Sequence, residues 1–209
     1  MADTTTSDHF RDLTDLHGIE ADCWRLLQAA VHDKSCGWRL PALATCSNGE
    51  LRQRTLVLRK IDAHSHRIFA HTDARSPKIK SIRSSPNVSW LFYDATRQVQ
   101  LQLTGIATVH TDGDVADRIW HGEAESSLRG YLAAYVPGSI RPMPESNLPT
   151  GVRIRVPDRN ELSAARGNFA VISCEVGTAD WLLLQPDGNL RARFTYEDSA
   201  VSTADWLAP

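Results

Sequence analysis

Arg54, Arg59, Arg75, Lys78 and Lys80 lie close together in the chain, in company with the hydroxyls of Thr72 and Ser76. A phosphate group is held by this combination: a guanidinium fork, a point-charge ammonium and short-range N–H or O–H donors. The run Ser76-Pro77-Lys78 adds to it. Serine followed by proline is a helix start, and the first turn of a helix offers unpaired N–H groups at the positive end of its dipole. The same residue types also suit a solvated strand end, so spacing alone leaves both readings open.

Two further groups could address a flat ring. Gln98, Gln100 and Gln102 alternate with Val99, Leu101 and Leu103. Such an alternation is a strand with a wet outer face, or one on which an amide, donor and acceptor at once, meets a ring edge. Trp181, Arg191 and Arg193 surround the last predicted hairpin and combine an aromatic plane with positive charge. Interior packing and surface charge account for them equally well. His64-Ser65-His66 lacks a third ligand, so no metal site is expected. Glycine-rich dinucleotide fingerprints, phosphate loops and nucleophile elbows are absent from the sequence.

Strands and turns must position these groups. Glu20–Asp33 has helical periodicity through Ala21, Trp24, Leu27, Ala30 and Val31. Pro41–Ser47 and Leu51–Ile61 read as strands joined at Asn48-Gly49, a pair that tolerates the positive φ of a tight hairpin. A third strand spans Arg67–His71, a short helix follows Ser76, and Val88–Tyr93 and Gln98–Val109 are strands, with Gly105 a bulge or bend. Asp112–His121 and Ser126–Ala134 read as helices, capped by Asp112 and by Ser126 or a neighbour, and Asp158–Ala165 as a shorter one. Phe169–Gln185 and Leu190–Tyr196 pair across Asp187-Gly188 and end the sheet. Residues 136–157 form a long loop, with five prolines from Pro137 to Pro157, and residues 1–12 a mobile tail. The fold class expected is β-rich α+β: one antiparallel barrel domain over 1–209 with peripheral helices.

With 42% hydrophobic residues in 209, one full core can be buried. A net charge of −2, from 23 basic and 25 acidic residues, does not suit a nucleic-acid binder. No run reaches the length of a membrane span, and the polar N-terminus does not read as a signal peptide. Cys23, Cys36, Cys46 and Cys174 have no paired close spacing, so reduced thiols and a cytoplasmic protein are expected.

Taken together, these stretches resemble the pyridoxamine 5′-phosphate oxidase family of FMN-binding split-barrel proteins, and more closely its uncharacterised, oxidase-related branch. The resemblance runs from Gln53 through Val109 and resumes from Asn168 to Tyr196. It implies that the strand Arg54-Thr55-Leu56-Val57-Leu58-Arg59 lies along FMN, and that His71-Thr72-Asp73 and Ser76-Pro77-Lys78 hold its phosphate, with Arg75 standing in for the arginine that Pro77 replaces. It further implies that Gln98 of Arg97-Gln98-Val99 and Arg193 of Arg193-Phe194 face the flavin, with Trp181 or Leu183 beside them. A homodimer with FMN at its interface is the implied assembly. The family's substrate motif, Arg-Leu-His, reads Asn189-Leu190-Arg191 here, and the residues that grip the substrate phosphate have no counterpart between Trp120 and Arg129. The expectation is therefore an FMN-dependent oxidoreductase acting on another small molecule, with Asn189, Arg191 and the 136–157 loop at the substrate side. The alternatives are a true pyridoxamine or pyridoxine 5′-phosphate oxidase, or a flavin-binding protein without turnover.

Overall fold

The computed structural model describes residue 10 and residues 12–209. Helix α1, Leu16–Ala30, starts at Asp15, whose carboxylate accepts from the His17 amide and satisfies one orphan donor of the first turn. Its apolar stripe, including Ile19, Trp24 and Leu27, is buried. The chain then makes β1 (Ala42–Ser47), β2 (Glu50–Thr55), β3 (Leu58–Asp62) and β4 (Arg67–Asp73). Asn48 and Gly49, between β1 and β2, both take positive φ, 52° and 78°, as the Asn-Gly signal predicts. Helix α2 (Pro77–Ser84) leads into β5 (Asn87–Asp94) and β6 (Val99–His110). Helices α3 (Gly113–Gly122), α4 (Glu125–Leu128) and α5 (Arg159–Ser163) precede β7 (Phe169–Leu183), β8 (Leu190–Glu197) and β9 (Ala200–Leu207).

All the pairings are antiparallel, and seven strands run in the order β2-β1-β5-β6-β7-β4-β3. Laid flat, the six steps from β2 to β3 would span about 29 Å, at ~4.8 Å per strand. Yet only Leu56 and Val57 separate the end of β2 from the start of β3, a reach of at most about 11 Å. The sheet must therefore curl until its two edges meet. This closure is the barrel, and it also breaks the single strand expected over Leu51–Ile61 into two. Strand β7 serves both halves: its first residues pair with β4, its last with β8, and β6 runs along nearly all of it.

The barrel interior holds the main core, with Trp38, Trp90, Trp181, Phe92 and Phe194 fully buried. A second cluster lies outside the sheet, where Trp120, Leu128, Leu162 and Phe169 pack under α3, α4 and α5. Gly105 stands at a register shift between β6 and β7, where an added Cβ would come within 2.0 Å of the Glu175 carbonyl oxygen.

Several expectations need correction. Phe10 is buried, with its ring 5.3 Å from that of Trp181, so the tail reading fails at that residue; residues 1–9 and 11 lie outside the described part. The sheet does not end at Tyr196, because β9 pairs with β8. The turn between them places Asp198 and Ser199 at positive φ without a glycine, and β9 is exposed along most of its length. Neither a turn signal nor an apolar alternation was there to read. The helix expected over Ser126–Ala134 is α4 followed by a 3-10 turn at Arg129–Leu132; Ala124 precedes α4, and Asp112 makes no capping bond to α3. No helix among the described residues is long and apolar enough to cross a membrane.

Candidate functional site

The clearest concentration of unneutralised charge lies where β2 passes the start of α2. Arg54 stands opposite Leu43 on β1, and its Nη1 donates to the Leu43 carbonyl at 3.2 Å and to Thr45 Oγ1 at 2.8 Å. Lys78, in the first turn of α2, donates from Nζ to Thr72 Oγ1 at 2.9 Å and to Ser76 Oγ at 2.6 Å. Among the described residues neither cation has an ion-pair partner. Burial, with Arg54 nearby, lowers the Lys78 pKa, and burial likewise lowers that of Arg54, with Arg52 as a lesser cause. Ser76 is the N-cap residue of α2, but its hydroxyl makes no bond to the helix backbone. The helix start thus lacks a side-chain cap, and the serine serves the lysine instead.

These side chains line one open pocket together with Arg52, Gln53, Pro77, Pro137 and Gly138. The sequence reading brought Arg54, Ser76 and Lys78 to one place, and the fold does so; Thr72 joins through its bond to Lys78. Arg52 was missed. Its spacing from Arg54, two along a strand, places both on one face and was the available signal. The long loop, expected at the substrate side with Asn189 and Arg191, instead meets the cationic pocket at Pro137 and Gly138.

Other expected residues lie elsewhere. Arg75 is not a substitute cation for the pocket: its guanidinium grips the Asp73 carboxylate through Nε and Nη2 (3.0 and 2.7 Å) and also donates to the Ala133 carbonyl. Arg59, beyond the Leu56-Val57 break, faces Glu123 at 3.9 Å and lines a recess beside α1. Glu123 also stands 3.8 Å from His71 Nδ1, too far for a hydrogen bond. Burial, with Arg59 adding positive charge nearby, pushes the His71 pKa down to about 3, and its ring packs against Phe169 at 5.0 Å. Leu58 is buried in the barrel core; Thr55 is exposed, and Leu56 and Val57 are half-buried.

The second group is separate from the first. Gln98 is not on the strand: it sits at φ 54° before β6, exposed, with Nε2 donating to the Ala95 carbonyl at 2.8 Å. It lines a recess with Leu184, Gln185 and Asn189. Asn189 accepts from the Gln185 amide at 3.1 Å and so braces the hairpin. Trp181 does not face outward. Together with Leu183 it lies on the inner face of β7, fully buried, its indole N–H without a partner among the described residues. Their common parity places Asp180 and Leu182, not them, on the outer face. There Asp180 pairs across the strands with Arg193, binding Arg191 through both oxygens (2.9 and 3.0 Å) and Arg193 at 3.0 Å. The two arginines hold the Asp180 carboxyl below its usual range, although its burial acts the other way. Arg193 also lines a small recess with Gln102, Thr104 and Thr178. The cationic pocket and the recesses around Gln98 and Arg193 therefore share no lining residue.

Comparison with known proteins follows this geometry. Residues 21–111 match the family model described as pyridoxamine 5′-phosphate oxidase, FMN-binding domain. No curated protein matches the chain in sequence. Among solved structures, the chain is similar to a pyridoxamine 5′-phosphate oxidase-related, FMN-binding protein from Nostoc punctiforme, at 20% identity and a TM-score of 0.66, over 95% of this chain and 100% of that one. PhzG from Burkholderia lata, solved with tetrahydrophenazine-1-carboxylic acid, aligns at 15% identity and a TM-score of 0.65, over 97% and 96% of the two chains. A protein related to general stress protein 26 from Clostridium acetobutylicum aligns at 10% identity and a TM-score of 0.55, over 89% and 99%. The resemblance drawn from the motifs is borne out as a likeness: residues 21–111 match the family's FMN-binding domain model, and the chain shares the split-barrel fold of these solved structures.

Proposed function

We propose that this split-barrel chain, related to the pyridoxamine 5′-phosphate oxidases, binds FMN and acts as an FMN-dependent oxidoreductase on a small molecule. The observation that carries the reading is that Arg54 and Lys78 bond to hydroxyls and one backbone carbonyl, with no carboxylate among the described residues, at an uncapped helix start. Two cations left without carboxylates in a partly buried pocket fit a dianionic phosphate. Lys78 has spent two of its three N–H donors on Thr72 and Ser76, so its ammonium is fixed with one donor to give. Arg54, Thr72, Ser76 and Lys78 would hold the phosphate. When bound, FMN supplies hydride or electron transfer at its ring, while the protein fixes its place and its electrostatics.

The ring would meet residues of a second copy. Gln98 and Arg193 lie on surfaces apart from the phosphate pocket, so a two-fold dimer that sets one copy's ring-facing wall over the other's cationic pocket would complete two equal sites. Arg193 would then place positive charge near the ring, moderated by Asp180. Oxidation of pyridoxamine phosphate is disfavoured: Arg191 is committed to Asp180, and Asn189 to its own hairpin.

The test is the visible spectrum of freshly purified protein, followed by titration of stripped protein with FMN. The expected result is a flavin spectrum, one FMN released per chain, and a dimer by sedimentation that does not depend on enzyme activity. A haem-type spectrum, or no FMN binding at any concentration, would overturn the reading. Reduction of the bound flavin by NADH, NADPH or a metabolite panel then separates an oxidoreductase from a protein that only carries FMN.

A further inference from the structure

Helix α3 stands off the outer faces of β3, β4, β6 and β7 and leaves a half-enclosed cleft of about 470 Å³. Volumes of this order hold small organic ligands. Part of its wall is apolar: Phe69 from β4, Ile106 from β6, and Val115 and Ile119 from α3. Ile106 is 50% exposed, so β6 presents a large aliphatic side chain to solvent just beyond the Gly105 bulge. Alternation of the strand explains the placement, since Ile106, Thr108 and His110 share the outward face.

The charge around this cleft is one-sided. Lys60, Arg67 and Arg118 line it against a single carboxylate, Glu175. Glu175 is taken by Arg67 at 2.7 Å. Lys60 holds its ammonium 5.3 Å from the centre of the Phe69 ring and its charge reaches the Asp62 carboxylate, two residues on; among the described residues neither Lys60 nor Arg118 makes an ion pair or a side-chain hydrogen bond. His110 bonds to Ser173 at 2.9 Å, and burial, with Arg67 as a lesser cause, lowers its pKa, so it adds a neutral polar group. An apolar patch with two cations at its rim, neither held in an ion pair among the described residues, matches a flat apolar body carrying one negative group, the body against Phe69 and Ile106 and the anion toward Lys60 and Arg118.

We infer that this cleft is a second binding site, for a small aromatic monoanion such as a carboxylate or sulfonate. It shares no lining residue with the cationic pocket or with the recesses around Gln98 and Arg193, so it is independent of the FMN reading.

The probe is anilinonaphthalene sulfonate, whose fluorescence rises in apolar surroundings, titrated into the full chain with and without saturating FMN. The expected result is one saturable site per chain, unaffected by FMN, with magnetisation transfer from the probe's ring protons to Phe69 and the Ile106 methyls. Arg118→Glu and Lys60→Glu change exposed side chains and should leave the fold intact; each should weaken the probe at least tenfold. Lys78→Ala should leave probe binding unchanged. Absence of saturable binding, competition by FMN, or affinity unmoved by both charge reversals would each overturn the assignment.

Discussion

Lys78 Nζ lies 2.9 Å from Thr72 Oγ1, a bond that ties the first turn of α2 to the end of β4. The bond fixes the ammonium without neutralising it, and a charge held in this way is preorganised for an anion. Lys78→Ala and Arg54→Ala should each weaken FMN binding by roughly 1.5–3 kcal/mol, the scale of a hydrogen bond to a charged group, or about 10- to 150-fold. Thr72→Val, which removes only the positioning hydroxyl, should cost less, about 0.5–1.5 kcal/mol. Titration calorimetry on stripped protein measures all three. Full affinity in both charge variants, with unchanged melting temperature, would place the phosphate elsewhere.

The part of this pocket that was legible in the sequence is the local part. Ser76, Pro77 and Lys78 are consecutive, and a helix start has a signature. What places Arg54 opposite them is the sheet order, which hairpin signals alone do not give. Alternation misled at two points. Extended one residue too far, it put Gln98 on a strand when that residue occupies a left-handed turn position. At Trp181 the residue type suggested a ring contact, but the parity of β7 sends the indole inward. The break at Leu56-Val57 had no glycine or proline to announce it, so Arg54 and Arg59 read as ends of one wall although they part to different recesses.

Trp181 gives a direct test of that parity. Trp181→Phe should destabilise the fold by about 1–2 kcal/mol through lost packing against Phe10 and its neighbours. No hydrogen bond among the described residues is lost, because the indole N–H has no partner there. FMN affinity of the folded variant should stay within about twofold of wild type, a change under ~0.5 kcal/mol. A large loss of affinity without a loss of stability would make Trp181 a flavin contact after all. Urea unfolding and FMN titration on the same preparation decide between them.

His71 predicts an acid sensitivity. Its folded pKa, about 3, lies below the ~6.5 of an unfolded histidine. The unfolded chain therefore binds a proton as pH falls below about 6.5, while the folded chain does not until far lower. The contribution to stability is complete above that pH and is lost as pH falls toward 3, at up to about 1.4 kcal/mol per pH unit. Between pH 6 and 4, His71→Leu should flatten the stability-versus-pH curve by up to that slope, roughly 1.4 kcal/mol per unit. Equal slopes in the two proteins would mean that Glu123 closes its 3.8 Å gap and keeps the imidazole charged.

Gly105→Ala tests the bulge. The added methyl would meet the Glu175 carbonyl, a backbone atom of the neighbouring strand that cannot swing aside. The two longest strands would have to separate locally, at a cost of about 2–4 kcal/mol in denaturant unfolding. A change below about 0.5 kcal/mol would show that the strands already stand further apart.

The two-residue link between β2 and β3 has a consequence for how the protein is made. These neighbours in sequence become the two edges that meet last, because the path between them runs through β7. Strand β4 reaches β6 only by way of β7, whose last residue is Leu183. A nascent chain that has emerged through residue 111 contains the whole segment matched by the family model, yet it has no strand with which to join its two halves. Its exposed β4 and β6 edges must wait until β7, Phe169–Leu183, has been synthesised. The matched segment expressed alone should therefore be a ready substrate for chaperones and proteases, and limited digestion of stalled or truncated chains would reveal it.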